Sequence, residues 1–333
     1  MERNFTVEEA VERYLKERKP DVSESTYRNH KYALRHFNDF CVGEGIERLN
    51  AIDGFHLADY RLERQGEVKP TTAYNNLSTV RTFIRWCEHR DLVSDGLADG
   101  MTVPNREGEV RDTKLDSEQA ERIKQHLRTY DYASFRHTLF ELLWETGVRT
   151  GTVRGIDLGD FHPESKYIEI HHRPESGTPL KNGRGAEREI NLHTEVANIV
   201  GDYIETKREQ VEDCHGREPL LTTGHGRAAT STIQRTVYRV TQPCVYSNKC
   251  PHGREIDSCE AANVNHASKC PSSVSPHPVR RGSITEWLND GNPKRLLADR
   301  MDVSEGILDK HYDARTERDK RELRYERLDI NKS

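Results

Sequence analysis

Residues 101–114 read Met-Thr-Val-Pro-Asn-Arg-Glu-Gly-Glu-Val-Arg-Asp-Thr-Lys, and they divide the chain. The segment is polar, is broken by Pro104 and Gly108, and repeats apolar residues at neither the helical nor the strand period, so no regular element runs through it. Apolar surface must therefore be buried separately on each side. With 333 residues, each side is long enough to bury its own core. The expected organisation is a domain over 1–100, a linker over 101–114 and a second domain over 115–333.

The first side reads as helix throughout. Thr6 and Glu9 form a capping-box pattern ahead of Val7, Ala10, Val11, Tyr14 and Leu15 at helical spacing. A second helix follows Ser23 or Ser25, with Tyr27, Leu34, Phe37 and Cys41 on one side. A third, shorter helix starts at Asp53. The fourth runs from about Thr71 on Ala73, Leu77, Val80, Phe83, Ile84 and Cys87, and Gly96 and Gly100 mark its domain's end. Arg28, Lys31 and Arg35 form a basic stripe on the second helix, as Arg81 and Arg85 do on the fourth. Such stripes are solvated faces or phosphate contacts along a duplex.

The second side mixes periods. Asp116 is expected to cap a helix, and Phe135 to Trp144 gives a strongly apolar one that stops at Thr146-Gly147. Tyr167 to Ile170 and Arg188 to Leu192 alternate as strands of a β-hairpin, with Lys181 near its tip. Helical patterns resume at Glu195 and again over Thr232 to Val240.

From Pro243 to Pro276 apolar residues almost vanish, so this insertion cannot fold by packing and is either disordered or clamped. It holds four of the seven cysteines: Cys244, Cys250, Cys259 and Cys270. Four thiolates are what a tetrahedral structural zinc site requires, and His252 or His266 can each replace one. A close CxxC pair is absent. Cys41 and Cys87 fall in helical patterns as small apolar groups.

The formal net charge of −5 averages over the surface and does not exclude an acidic partner, because binding follows the clustering of Lys and Arg. No apolar run reaches the length of a membrane span, and Met1 to Thr6 carries no signal-peptide pattern. The expected location is the cytoplasm.

Chemistry concentrates between Ser275 and Tyr312. His277 and Arg280 stand three apart at the start of a helix and project from one face. A guanidinium offers planar donors to a phosphate, an imidazole moves a proton near neutral pH, and Tyr312 supplies a phenol nucleophile. Each has a plainer use: Tyr312, four after Leu308, as a core residue; Arg149 as a helix C-terminal charge; Arg184 or Arg154 as cations competing with Lys181 and Arg149.

Arg149, Lys181, His277-x-x-Arg280 and Tyr312, in that order, resemble the tyrosine recombinases, the phage-integrase and Xer family. The resemblance covers nearly the whole chain. Thr146-Gly147-Val148-Arg149 is similar to the family's first-arginine box, Leu180-Lys181 to its lysine, and His277-Pro278-Val279-Arg280 to its second box; the Cys-rich segment and the Asp-Lys-His-Tyr-Asp ending are most similar to archaeal members. What the resemblance implies is a mainly α protein: a helical core-binding domain, SAM-like, before an α+β catalytic domain with a small β-hairpin or sheet. It implies DNA cut and rejoined through a 3′-phosphotyrosyl bond on Tyr312, clamped by Arg149 and Arg280, with His277 and Lys181 moving protons. It implies double-stranded DNA as partner, bound through Arg28, Lys31, Arg35, Arg81, Arg85 and Arg281, a homo-tetramer on paired sites, no catalytic cofactor and an architectural zinc.

Two positions depart from the family. Thr152 stands where an acid usually follows the first arginine by three. No His or Trp lies about nine residues before Tyr312, leaving Asp299 or Arg300 to fill that role, or the role unfilled. A catalytically silent DNA-binding protein and a nicking-resealing topoisomerase share the scaffold. The charged tail 313–333 is expected to be a solvated helix.

Overall fold

The computed structural model describes residues 5–104 and 113–312 together with positions 318, 321, 324 and 325. The centre of the expected linker and nearly all of the tail lie outside the described residues. The chain divides into two compact units, Met1–Arg111 and Asp112–Ser333.

The first unit is helical. α1 (Val7–Arg18) starts with the reciprocal capping box: Glu9 N–H donates to Thr6 Oγ1 at 3.2 Å and Thr6 N–H to Glu9 Oε2 at 2.8 Å. α2 (Glu24–Gly43) is capped by Ser23, and α4 (Pro70–Glu88) has its proline at a first-turn position, where no amide is needed. α3 (Gly54–Glu67), capped by Asp53, has 14 residues against 12 in α1. It is longer than its apolar period indicates because Arg64, not an apolar residue, carries the inward face through its last turn, buried and bonded to Glu67 at 2.5 Å. Tyr14, Leu34, Phe37, Tyr60, Leu77 and Phe83 fill the core, with Cys41 and Cys87 among them. A short α5 (Leu97–Gly100) closes the unit.

Of the basic stripe, Arg28, Lys31, Arg35 and Arg85 are exposed and Arg81 is half-buried. Arg85 already pairs with Asp99 at 2.7 Å, which ties α4 to α5.

The second unit is built round α7 (Phe135–Thr146), ten of whose twelve residues are buried. α6 (Ser117–Tyr130), capped by Asp116, packs beside it, and α8 (Thr150–Gly155) follows at once. An antiparallel three-stranded sheet comes next: β1 (Phe161–His162), β2 (Tyr167–Ile170) and β3 (Arg188–Asn191), in that order, with Ile168 opposite Ile190 facing the core. α9 (Thr194–Thr206), the pair β4 (Thr222–Thr223) and β5 (Gly226–Arg227), α10 (Thr230–Val240) and α11 (Pro243–Ser247) lead to α12 (Pro276–Asn289), α13 (Lys294–Met301) and α14 (Glu305–His311). The elements that periodicity does not reveal, α8, β1, β4 and β5, are too short to display a period.

α12 lies hard against α7. A Cβ on Gly282 would come within 2.1 Å of the Leu115 carbonyl and 2.8 Å of the Trp144 ring, so only glycine permits this approach. The stretch 248–275 is clamped rather than packed. Its 3₁₀ turns, Glu260–Ala262 and Val264–Lys269, are held by the Gln242 amide, which donates to Ala261 O at 2.9 Å and Ala267 O at 3.1 Å. No helix among the described residues is long and apolar enough to cross a membrane.

Candidate active site

The site forms where α7 ends. Gly147 takes a left-handed conformation (φ +58°) that stops the helix, its N–H bonding Leu143 O at 3.1 Å. Two residues later Arg149 caps α8 and keeps part of its guanidinium in solvent. Arg280, on the inner face of α12, is only 4% exposed and donates through Nη1 to Gly147 O at 2.6 Å and through Nη2 to Asp302 O at 3.4 Å. Arg280 also lies near enough to Tyr312 to feel its phenol. Burial, and then the neighbouring Arg149, push its pKa down to about 10, so it stays charged at neutral pH.

His277 is exposed one turn before Arg280, on the same side of α12. Its pKa is lowered, first by loss of solvent on its protein side and then by Arg280, Arg281, Arg149 and Lys181. The imidazole is therefore neutral, a proton acceptor, at neutral pH. Lys181 is exposed in the long β2–β3 connection, and its effect on His277 reports that it belongs to the same cationic cluster. Tyr312 follows α14 and is buried, its amide bonded to Leu308 O at 3.0 Å and its ring under the Arg281 guanidinium at 5.7 Å. The plainer reading holds in part: Tyr312 does join the small core of α12, α13 and α14. Its phenol is nonetheless near enough to Arg280 to act on its charge.

Two residues that motif reading passed over complete the cluster. Asp302 receives Arg149 Nη1 on one carboxylate oxygen and Asn182 Nδ2 at 2.7 Å on the other. Their only sequence signal is weak: an aspartate just after a helix, in a class of residue that tolerates the left-handed backbone.

Among the described residues, neither Asp299 nor Arg300 hydrogen-bonds to Arg149, His277, Arg280 or Tyr312. Asp299 is exposed. Arg300 lies over the Trp287 ring at 4.7 Å and donates through Nη2 to Glu145 O at 3.3 Å and Glu145 Oε1 at 3.4 Å. Thr152 is buried, its amide bonded to Arg149 O at 2.9 Å. Arg154 is no competitor, since its guanidinium donates to Ala228 O and Gly177 O. Arg184 is exposed on the turn beyond Asn182.

Of the expected metal residues, Cys244, Cys250, Cys259, Cys270 and His252 line one cavity of about 20 Å³, room for a single small particle. All four thiols are free. The Cys244 thiol is pushed up by burial and then by Cys270, with Cys250 adding to the effect. His266 is outside this set: it does not line the cavity and pairs with Glu260 at 3.3 Å. The sulfurs have still to close up, for among the described residues the only metal-type group within 4.8 Å is Asp160, Glu169 and His171. That group is otherwise engaged. Both Asp160 oxygens hold Arg173, at 2.7 and 2.8 Å, and Glu169 is shared by His171 and His162.

Comparison with known proteins gives one consistent picture. The family described as phage integrase, N-terminal SAM-like domain, matches residues 11–91. Tyrosine recombinase XerC of Halalkalibacterium halodurans is 22% identical over 295 residues, covering 86% of this chain and 85% of that protein. Among solved structures, the Tn1549 transposon integrase in complex with a circular intermediate DNA is similar with a TM-score of 0.70 at 16% identity, covering 97% of this chain and 99% of that one. A lambda integrase dimer bound to a COC′ core site is similar with a TM-score of 0.64 at 14% identity, covering 94% and 79%. At such identities the solved structures establish the fold alone, and the N-terminal family match and the XerC relative say what the chain is similar to.

Proposed function

We propose that this protein is a site-specific DNA recombinase that cuts and rejoins duplexes through Tyr312. The observation that carries the reading is that Arg149 and Arg280 are both held by Asp302, with the Tyr312 ring under Arg281 and near enough to Arg280 to act on its charge. Phosphodiester exchange needs an in-line nucleophile, charge stabilisation on the non-bridging oxygens and a proton for the leaving 5′-oxygen. Tyr312 Oη forms the new bond to phosphorus while the bond to the 5′-oxygen breaks. The neutral His277 takes the phenol proton, Lys181 gives one to the 5′-oxygen, and the two arginines grip the phosphate. Preorganised donors of this kind contribute about 3 kcal/mol each to the transition state. The phosphotyrosyl ester keeps the energy of the bond it replaces, so rejoining reverses the steps without a cofactor.

In this reading residues 1–100 form the core-binding domain, residues 101–114 the linker and 115–333 the catalytic domain. The first of these presents Arg28, Lys31, Arg35, Arg81 and Arg85 to the DNA backbone, while Arg281 does so near the reacting phosphate. Arg85 must then exchange Asp99 for a phosphate. Four protomers assemble on paired sites in the cytoplasm, as the lambda integrase tetramer on a Holliday junction suggests. The test is covalent trapping on candidate attachment-site DNA nicked beside the scissile phosphate. A protein–DNA adduct that survives a denaturing gel and is lost in Tyr312→Phe is expected. Intact DNA binding without any adduct would leave a silent binder instead.

We also propose a structural zinc ion held by Cys244, Cys250, Cys259 and Cys270. Crowded thiols round an ion-sized cavity, in a stretch too polar to pack, support it. One zinc per chain is expected by elemental analysis of the purified protein. Zinc content unchanged in Cys259→Ser together with Cys270→Ser would rule it out.

A further inference from the structure

The two arginines reach their places through a residue outside both arginine boxes. We propose that Asp302 is a positioning residue of the strand-exchange site, holding Arg149, Arg280 and the lysine-bearing turn in register before DNA arrives. This rests on the recombinase reading given above.

Asp302 uses three acceptors toward three separate segments. One carboxylate oxygen takes Arg149 Nη1, at the start of α8; the other takes Asn182 Nδ2 at 2.7 Å, the residue next to Lys181. Its main-chain oxygen takes Arg280 Nη2 at 3.4 Å, from α12. The backbone makes this possible. Asp302 ends α13 in the left-handed region, φ +51° and ψ +63°, turning the chain so that carboxylate and carbonyl serve different partners. Few side chains tolerate that conformation, and of those that do, glycine lacks the carboxylate and asparagine offers one amide where Arg149 needs an acceptor.

Charge supplies the reason for a carboxylate. Two guanidiniums brought together repel, and each is free to swing toward solvent unless an anion holds it. Asp302 is that anion, with 16% of its side chain exposed, while Arg149 keeps 28%. A guanidinium has five donors, so Arg149 can hold Asp302 with one edge and offer another to a phosphate.

The test uses the full-length protein and the nicked substrate. Asp302→Asn and Asp302→Gly suit the left-handed backbone, and unchanged melting temperature and DNA affinity verify that they fold. Single-turnover adduct formation is expected to slow by about 10²-fold in both, the cost of a reacting group displaced by about 1 Å. Adding Asp302→Asn to Arg149→Ala should slow the reaction no further, because Asp302 acts through Arg149. Wild-type rates in the single variants, or multiplying losses in the double variant, overturn the assignment. Absence of an adduct from the wild type itself would count against the recombinase reading instead. The Arg149 guanidinium protons, identified by their loss in Arg149→Lys, then decide: slow exchange with solvent in the wild type that becomes fast in Asp302→Asn supports Asp302 as the anchor, and equal exchange overturns it.

Discussion

Arg280 carries a buried charge whose hydrogen-bond acceptors are two main-chain carbonyls, those of Gly147 and Asp302. Such a guanidinium is held in shape by carbonyls and shares the one Asp302 carboxylate with Arg149, which leaves a phosphate as a complement for the pair. His277 shows the opposite adjustment. Its lowered pKa means that the unfolded chain, with histidine near 6.5, takes up a proton at a higher pH than the folded protein does. Stability from this group is thus fully present above that value and declines as pH falls below it. His277→Gln should weaken the acid-side decline in chemical-denaturation midpoints, and in the wild type adduct formation should fall over the same range as the proton acceptor is lost. Other histidines titrate there too, including His30, His36 and His126, so the informative quantity is the difference between wild type and variant. A variant whose decline is as steep as the wild type's would contradict the assignment.

At the scale of elements, the position of α12 decides whether Arg280 can reach the Gly147 carbonyl. Gly282 sets that position. A methyl group there meets a main-chain carbonyl that cannot swing aside, so Gly282→Ala should cost about 2–3 kcal/mol or more by overpacking. Gly201→Ala on α9, where a Cβ meets nothing within 4 Å, should instead stabilise by about 0.5–1 kcal/mol. Equal effects in thermal unfolding would refute the argument. The same elements mark what is legible in sequence. Thr6, Asp116 and Gly147 announce helix ends because capping is a local transaction among residues three or four apart. α8 and the short strands leave no periodic trace. The third helix outruns its apolar pattern because a buried Arg64 substitutes for an apolar side chain.

For the whole molecule, the formal charge of −5 is a poor guide because it does not say where the charges sit. Asp157, Asp160 and Asp213 are matched by Arg173, Arg217 and Arg227 beneath the sheet connections, which leaves the cations round Tyr312 to set the local field. Arg149, His277, Arg280 and Tyr312 can be picked out because three of them sit in two short boxes and all four occur in a familiar order. Asp302 cannot, since its role exists only once a left-handed turn meets segments far away in the chain.

That separation has a consequence for how the protein is made. Gly147 and Arg280 are 133 positions apart, and Arg149 and Asp302 are 153. The site therefore draws Arg149 from one part of the polypeptide and Arg280, Asp302 and Tyr312 from a part synthesised well after it. At about 5–20 residues per second, a nascent chain spends many seconds with its first unit and Arg149 already made and neither Asp302 nor Tyr312 yet present to complete the proposed site. A product cut short by proteolysis or by an early stop codon is disarmed in the same way.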